Sequence, residues 1–215
     1  MTYLVGPRSV MVLQLGQLMV VIIVVGVIIR LLSKACSKYG FGKAKNRYHG
    51  ERDRRTGKMH GRGTLWAQNG DVYTGTFFQG LFHGRGEYRF SAEQGGGVYR
   101  GEFRHGRYHG QGEETYPDGS FYKGEFLEGE RHGKGRMVYS NGNIYKGDWN
   151  RGKKHGKGVY TMEGGRKYSG QFQDGKMSGK GDLQVGKDRR LVGDFAANQP
   201  EKVAEIRHSQ NIANA

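Results

Sequence analysis

The chain has 215 residues, of which 39 are glycine, about 18 % against roughly 7 % in ordinary usage, and a formal charge of +15 from 35 basic and 20 acidic residues. Leu, Ile, Val and Phe supply only 21 of the 148 residues from 48 to 195, which excludes a catalytic domain with a large aliphatic core. The same window holds 22 aromatic residues, too many for a disordered chain, so the aromatics are expected to share one buried face.

Residues 1–9 form a short N-terminal segment. Val10 to Ile29 carries no charge over twenty residues, enough for a helix to cross about 30 Å of hydrocarbon, and a transmembrane helix is expected over 10–32. Gln14 and Gln17 weaken its first turns and move the apolar centre toward Leu18–Leu32, with Arg30 snorkelling to the interface. A secretory signal is the rival reading, but the run exceeds a normal signal core and no small-x-small cleavage pattern follows it. Arg8 alone precedes the span, whereas Arg30, Lys34, Lys38, Lys43, Lys45 and Arg47 follow it; this asymmetry places the rest of the chain in the cytoplasm, or on the matrix or stroma side of an organelle. Residues 33–47 read as a basic linker. Its Cys36, the single cysteine, excludes an intramolecular disulfide and is a candidate for palmitoylation, against the reading of an idle thiol.

Beyond the linker the chain repeats itself. Tyr73, Tyr99, Tyr122, Tyr145 and Tyr168 head copies of Tyr-x-Gly-x-Phe-x-x-Gly-x-x-His-Gly-x-Gly, and a partial seventh copy begins at Leu191. From Tyr99 onward the interval is 23 residues; Tyr48 heads an earlier copy with two extra residues, and Gly95–Gly97 lie in a three-residue insertion. Local departures are Arg52 in place of an aromatic, Trp149 for Phe, Ser178 for His and Asn198 for Gly.

This pattern resembles the MORN (membrane occupation and recognition nexus) repeat over about residues 48–195. The resemblance implies a non-enzymatic role in protein assembly or in organising membranes and cytoskeleton, with phospholipid binding as the alternative.

The fold class follows from period-two alternation: all-β, an elongated single-layer antiparallel sheet of stacked hairpins with about thirteen strands. In each first strand Tyr, Gly and Phe face one way, while neighbours such as Arg100, Glu102 and Arg104 face the other. In second strands Tyr88 and Phe90, Met137 and Tyr139, or Tyr160 and Met162 supply the apolar face. Arg151-Gly152 and Asp174-Gly175 turn the chain within units. Asn69-Gly70, Asp118-Gly119 and Asn141-Gly142 turn it between units, and both residues of each pair are expected at positive φ. Asn198-Gln199-Pro200-Glu201 reads as a helix start, so residues 196–215 are expected to form a capping helix with Val203 and Ile206 on its apolar stripe.

A single sheet has no second layer over its apolar face. The aromatic columns Tyr73, Phe77, Tyr99, Phe103, Tyr122, Phe126, Tyr145, Trp149, Tyr168 and Phe172 therefore read either as internal packing or as a groove for a partner protein, best a helical segment. Lys123, Lys146, Lys153, Lys154 and Lys157 are the candidate contacts to anionic phospholipid headgroups, although Glu102, Glu125, Glu128, Glu130 and Asp148 interrupt their field. His60, His83, His109, His132 and His155 form an in-phase column, but units about 9.6 Å apart cannot share a metal ion, so hydrogen-bonded turn capping is expected instead. The Gly-rich stretches ending in Gly-Lys-Gly lack the Ser or Thr and the following helix of a phosphate loop. No catalytic set, metal, cofactor or nucleic-acid stripe is expected; unpaired strand edges make self-association a candidate.

Overall fold

The computed structural model describes residues 45–207, of which those from Asn46 onward belong to one unit; the expected membrane helix, most of the linker and Cys36 lie outside the described residues. Among the described residues no helix is long and apolar enough to cross a membrane.

Fourteen strands in strictly sequential order form one antiparallel sheet. They are β1 (Arg47–Arg52), β2 (Met59–Trp66), β3 (Val72–Phe78), β4 (Leu81–Arg89), β5 (Val98–Arg104), β6 (Arg107–Thr115) and β7 (Phe121–Leu127), then β8 (Glu130–Val138), β9 (Ile144–Asn150), β10 (Lys153–Thr161), β11 (Lys167–Gln173), β12 (Lys176–Gln184), β13 (Arg189–Ala196) and β14 (Gln199–Arg207). Each pair from β1-β2 to β13-β14 is one unit, so the array has seven hairpins.

The seventh is complete, and it corrects the expected capping helix. Ala197 and Asn198 take positive φ of 48° and 74° and return the chain as β14, which pairs with β13 from Ala196↔Gln199 to Arg189↔Arg207. Pro200 is tolerated because β14 is the sheet's last strand, where a missing N–H need not break a ladder bond. Val203 packs on the core from this strand, while Ile206 is exposed.

From the second unit to the seventh, turns within units have two residues, both at positive φ, as at Arg151 (46°) and Gly152 (76°), whereas a six-residue loop joins β1 to β2. The turn glycine also donates its N–H to the preceding unit: Gly106 to Phe82, Gly129 to Tyr108, Gly152 to Arg131 and Gly175 to Lys154, each at 2.9 Å. Turns between units differ from expectation. Gly70, Gly119 and Gly142 have positive φ, but Asn69, Asp118 and Asn141 do not. Their side chains instead accept from the N–H two residues on, at Asp71, Ser120 and Asn143, which favours a longer loop over a two-residue turn.

A bulge in the second strand of most units shapes the core. Gly101 pairs with Gly112, but the next residue, Glu102, pairs with His109, leaving Gly110 and Gln111 as an excess on β6. The carboxylates of Glu51, Glu102, Glu125 and Asp148 accept the N–H after the bulge glycine at 2.9–3.3 Å. Three of the acids that break up the lysine field in the sequence, Glu102, Glu125 and Asp148, thus hold the backbone of the fold.

Candidate functional site: the aromatic face

Each repeat tyrosine lies flat along its own strand onto a glycine pair. A Cβ on Gly101 would stand 2.5 Å from the Tyr99 hydroxyl and 2.6 Å from Cα of Gly112, so only hydrogen fits beneath the ring. The hydroxyl then donates to the carbonyl three residues on: Tyr73 to Thr76 (2.8 Å), Tyr99 to Glu102 (2.9 Å), Tyr122 to Glu125 (3.0 Å), Tyr145 to Asp148 (2.8 Å) and Tyr168 to Gln171 (3.0 Å). Burial raises all five phenols above the ordinary tyrosine pKa, Tyr73, Tyr99, Tyr122 and Tyr145 by a large margin.

Between these tyrosines stand Phe77, Phe103, Phe126, Trp149 and Phe172, edge-on to the ring on either side at 5.0–5.2 Å. Tyr48 and Phe195 extend the ladder at its ends. Each edge-to-face pair adds about 0.5–1.5 kcal/mol beyond area burial. All ten residues read from the sequence as a groove are 0–4 % exposed and form the core of the sheet.

What lies over this ladder is a row that the repeat pattern leaves unspecified, the second residue after the turn glycine. Phe82 stacks on Tyr73 with centroids 3.9 Å apart, and Tyr108 stacks on Tyr99 at 3.7 Å. In the next two units the lid is a cation. The Arg131 guanidinium lies 4.6 Å from the Trp149 ring and 5.7 Å from Tyr122; the Lys154 ammonium lies 5.7 Å from Tyr145 and 4.3 Å from Tyr160. Met59 and Met177 hold the same register position in the first and sixth units and pack on the core. Phe82, Tyr88, Phe90, Phe103, Arg107 and Tyr108 line a cleft of about 330 Å³ on this face. Of its walls Phe82, Tyr88, Phe90 and Tyr108 are half-buried and Phe103 is buried, so the accessible aromatic surface belongs to the lids and second-strand residues and not to the ten ladder residues.

The lysines divide between the two faces. Lys123, Lys146, Lys153 and Lys157 occupy positions opposite in parity to the tyrosine row, whereas Lys154 pairs with Trp149 on the aromatic face. Lys123 is bound to Glu113 at 2.7 Å, and Lys153 lies 3.8 Å from Asp174. The imidazole column does not cap turns throughout: Nδ1 of His60 and of His109 is buried without a partner. Among the described residues no group of three metal-ligating side chains occurs.

A family model described as the MORN repeat matches residues 57–72, 73–92, 99–121, 122–144, 145–165 and 168–184, more than half of the chain. The chain belongs to the MORN repeat family. The first match covers only the second strand of the first unit, the other five follow the second to sixth units, and the seventh hairpin lies beyond them. No curated relative matches significantly. Among solved structures, the chain is similar to the TCP domain of SAS-4 (dCPAP) of Drosophila melanogaster in complex with a proline-rich motif of Ana2 (dSTIL). That match is 12 % identical, covers 63 % of this chain and 73 % of that one, and has a TM-score of 0.39. A second is the TCP10 domain of Danio rerio CPAP in complex with a STIL peptide, at 15 % identity, 68 % and 84 % coverage and a TM-score of 0.20. At these scores the likeness transfers nothing of what those domains bind.

Proposed function

We propose that this MORN array is a non-enzymatic protein-interaction module whose aromatic face receives a helical segment of a partner protein, and that residues 10–32 anchor it to a membrane with the array on the cytoplasmic, matrix or stroma side. The observation that carries the interaction reading is the cleft at Phe82, Tyr88, Phe90 and Tyr108: apolar surface half-open on a one-layer sheet, with no second layer over it among the described residues. A helix offers the side-chain spacing that such a face takes.

The test is co-purification of the full chain from membranes in mild detergent, comparing it with Phe82→Lys plus Tyr108→Lys. Lysine already serves as a lid in the fifth unit, so the double variant keeps the ladder covered while changing the surface. Loss of specific partners is expected, and an unchanged partner list defeats the reading. Carbonate extraction tests the anchor, since a spanning helix keeps the intact chain in the pellet.

Phospholipid binding is the second reading. It is favoured by Lys146 and Lys157, which share the polar face and make no ion pair with a described carboxylate. Two such cations supply only about 2 kcal/mol at an anionic surface. Salt-sensitive flotation with phosphoinositide vesicles is its test.

A further inference from the structure

We propose that Arg131 and Lys154 form a carboxylate-receiving site on the aromatic face, which takes acidic side chains of an amphipathic partner segment whose apolar residues fill the cleft between Phe82 and Tyr108. The proposal rests on the aromatic face being the interaction surface and adds the chemistry of what binds there.

The argument starts from unspent donors. An ammonium has three N–H groups and a guanidinium five, and contact with ring faces satisfies few of them. Rings of Tyr139, Tyr145, Tyr160 and Phe172 lie 4.3–5.9 Å from the Lys154 ammonium, and burial among them lowers its pKa. Arg131 donates to the Gly152 carbonyl at 3.0 Å and lies 3.8 Å from the Met137 sulfur. The ion pairs among the described residues involve neither cation. Beneath Arg131, the Trp149 Nε1–H is buried with no acceptor. Two half-buried cations in adjacent units, with no ion pair among the described residues, have an anionic oxygen acceptor as their complement.

Residues 1–47 and 208–215 do not supply it, since they contain no Asp or Glu. The nearby Glu114 carboxylate accepts from the Tyr116 hydroxyl, and burial raises its pKa. A membrane is the poorer occupant, because the other candidate lysines occupy the opposite face. A partner's carboxylates are favoured, since the same face offers the apolar cleft two units away. One unit is two strands, about 9.6 Å, so the Arg131 and Lys154 lids stand about 10 and 19 Å beyond the Tyr108 lid. A helix covers the first distance in about seven residues and comes within about 2 Å of the second in fourteen, and both of these steps fall on the side that carries its apolar anchor.

Display selection with random peptides of about twenty residues against the full chain in mild detergent tests this. Selected peptides are expected to combine an aromatic or leucine anchor with Asp or Glu near those spacings. Synthetic copies should bind Arg131→Met plus Lys154→Met roughly tenfold or more weakly. Methionine is native at this position in the first and sixth units, and an unchanged thermal melt verifies the fold. Selection on Arg131→Glu plus Lys154→Glu should enrich Lys and Arg instead; if that pair fails to fold, the methionine pair decides. Acid-free peptides, or acidic peptides that bind the methionine pair equally well, overturn the inference but leave the aromatic face standing if Phe82→Lys plus Tyr108→Lys abolishes their binding. Absence of any peptide dependent on either pair overturns both. Phosphatidylserine vesicles captured by the parent but not by the methionine pair, without acid enrichment, assign the cations to lipid phosphate and also overturn it.

Discussion

The second and third units of the array carry rings over their tyrosines, Phe82 and Tyr108, whereas the fourth and fifth carry cations, Arg131 and Lys154. Beneath these lids the two regions are alike: the same tyrosine on the same glycine pair, the same hydroxyl bond to a carbonyl three residues on, the same edge-on neighbour. The difference teaches that stability and surface chemistry reside in separate rows. The fixed letters of the repeat build a sheet core, and the variable position after the turn sets what that sheet presents. Evolution can therefore rewrite one half of the face without touching the ladder.

The largest expected effect strikes what the two regions share. Gly101→Ala in the third unit and Gly147→Ala in the fifth each drive a Cβ to 2.5–2.6 Å from the Cα of the facing glycine, backbone against backbone. Each should cost about 3 kcal/mol in urea unfolding of the full chain, and by similar amounts. A large inequality would break the claim that the ladders are equivalent.

Next comes alkaline pH. The five ladder phenols have pKa values raised by burial, so their contribution is fully present below the unfolded tyrosine value of about 10 and is lost as pH rises through the folded values. Stability should fall above about pH 10 by up to roughly 1.4 kcal/mol per pH unit for each tyrosine. Melts across that range check it, and Tyr99→Phe should flatten the slope by one tyrosine's share.

Lys154 separates the two regions. Burial lowers its pKa, so the folded state disfavours the charged form, and stability rises with pH in the window just below the ordinary lysine value of about 10.4. Lys154→Met should remove that rise and leave the fall above pH 10 intact. Phe82→Met, on the ring-lidded side, should leave both features in place. Identical pH profiles for the parent and Lys154→Met would show that the cation lid is solvated like a surface lysine.

The ladder was legible in the sequence because Tyr, Gly and Phe recur at spacings that fix both the period and the face. The lid row was not, because its residues differ: Met59, Phe82, Tyr108, Arg131, Lys154 and Met177 share no side-chain class. The signal available was positional, a variable residue held between a fixed glycine and a fixed histidine. Pro200-Glu201 misled for a related reason. The seventh unit lacks His-Gly-x-Gly, and without it a proline beside an acid has the local chemistry of a helix start, whereas an edge strand tolerates the same proline.

The smallest expected effect lies outside both rows, at the turns. Arg151 holds φ at 46° as the first residue of a two-residue turn, a region that costs a branched or long side chain about 1 kcal/mol and that Asn adopts more readily. The Arg151 side chain is exposed and makes no hydrogen bond among the described residues that a substitution would forfeit. Arg151→Asn should therefore stabilise the chain by about 0.5 kcal/mol, read as a higher urea midpoint at unchanged slope. Asp174 holds the same turn position in the sixth unit at φ 49° with a side chain already suited to it, so Asp174→Asn is the control and should change little beyond the loss of its exposed contact with Lys153, which high salt removes in both proteins. Because neither residue lies on the aromatic face, peptide binding should be unaltered in both. A gain at Arg151 accompanied by altered binding would mean that turn geometry sets the position of the lids, since the Gly152 N–H donates to the Arg131 carbonyl at 2.9 Å and the Gly152 carbonyl accepts from its guanidinium. In that case stability and surface chemistry would not be separable in this half of the array.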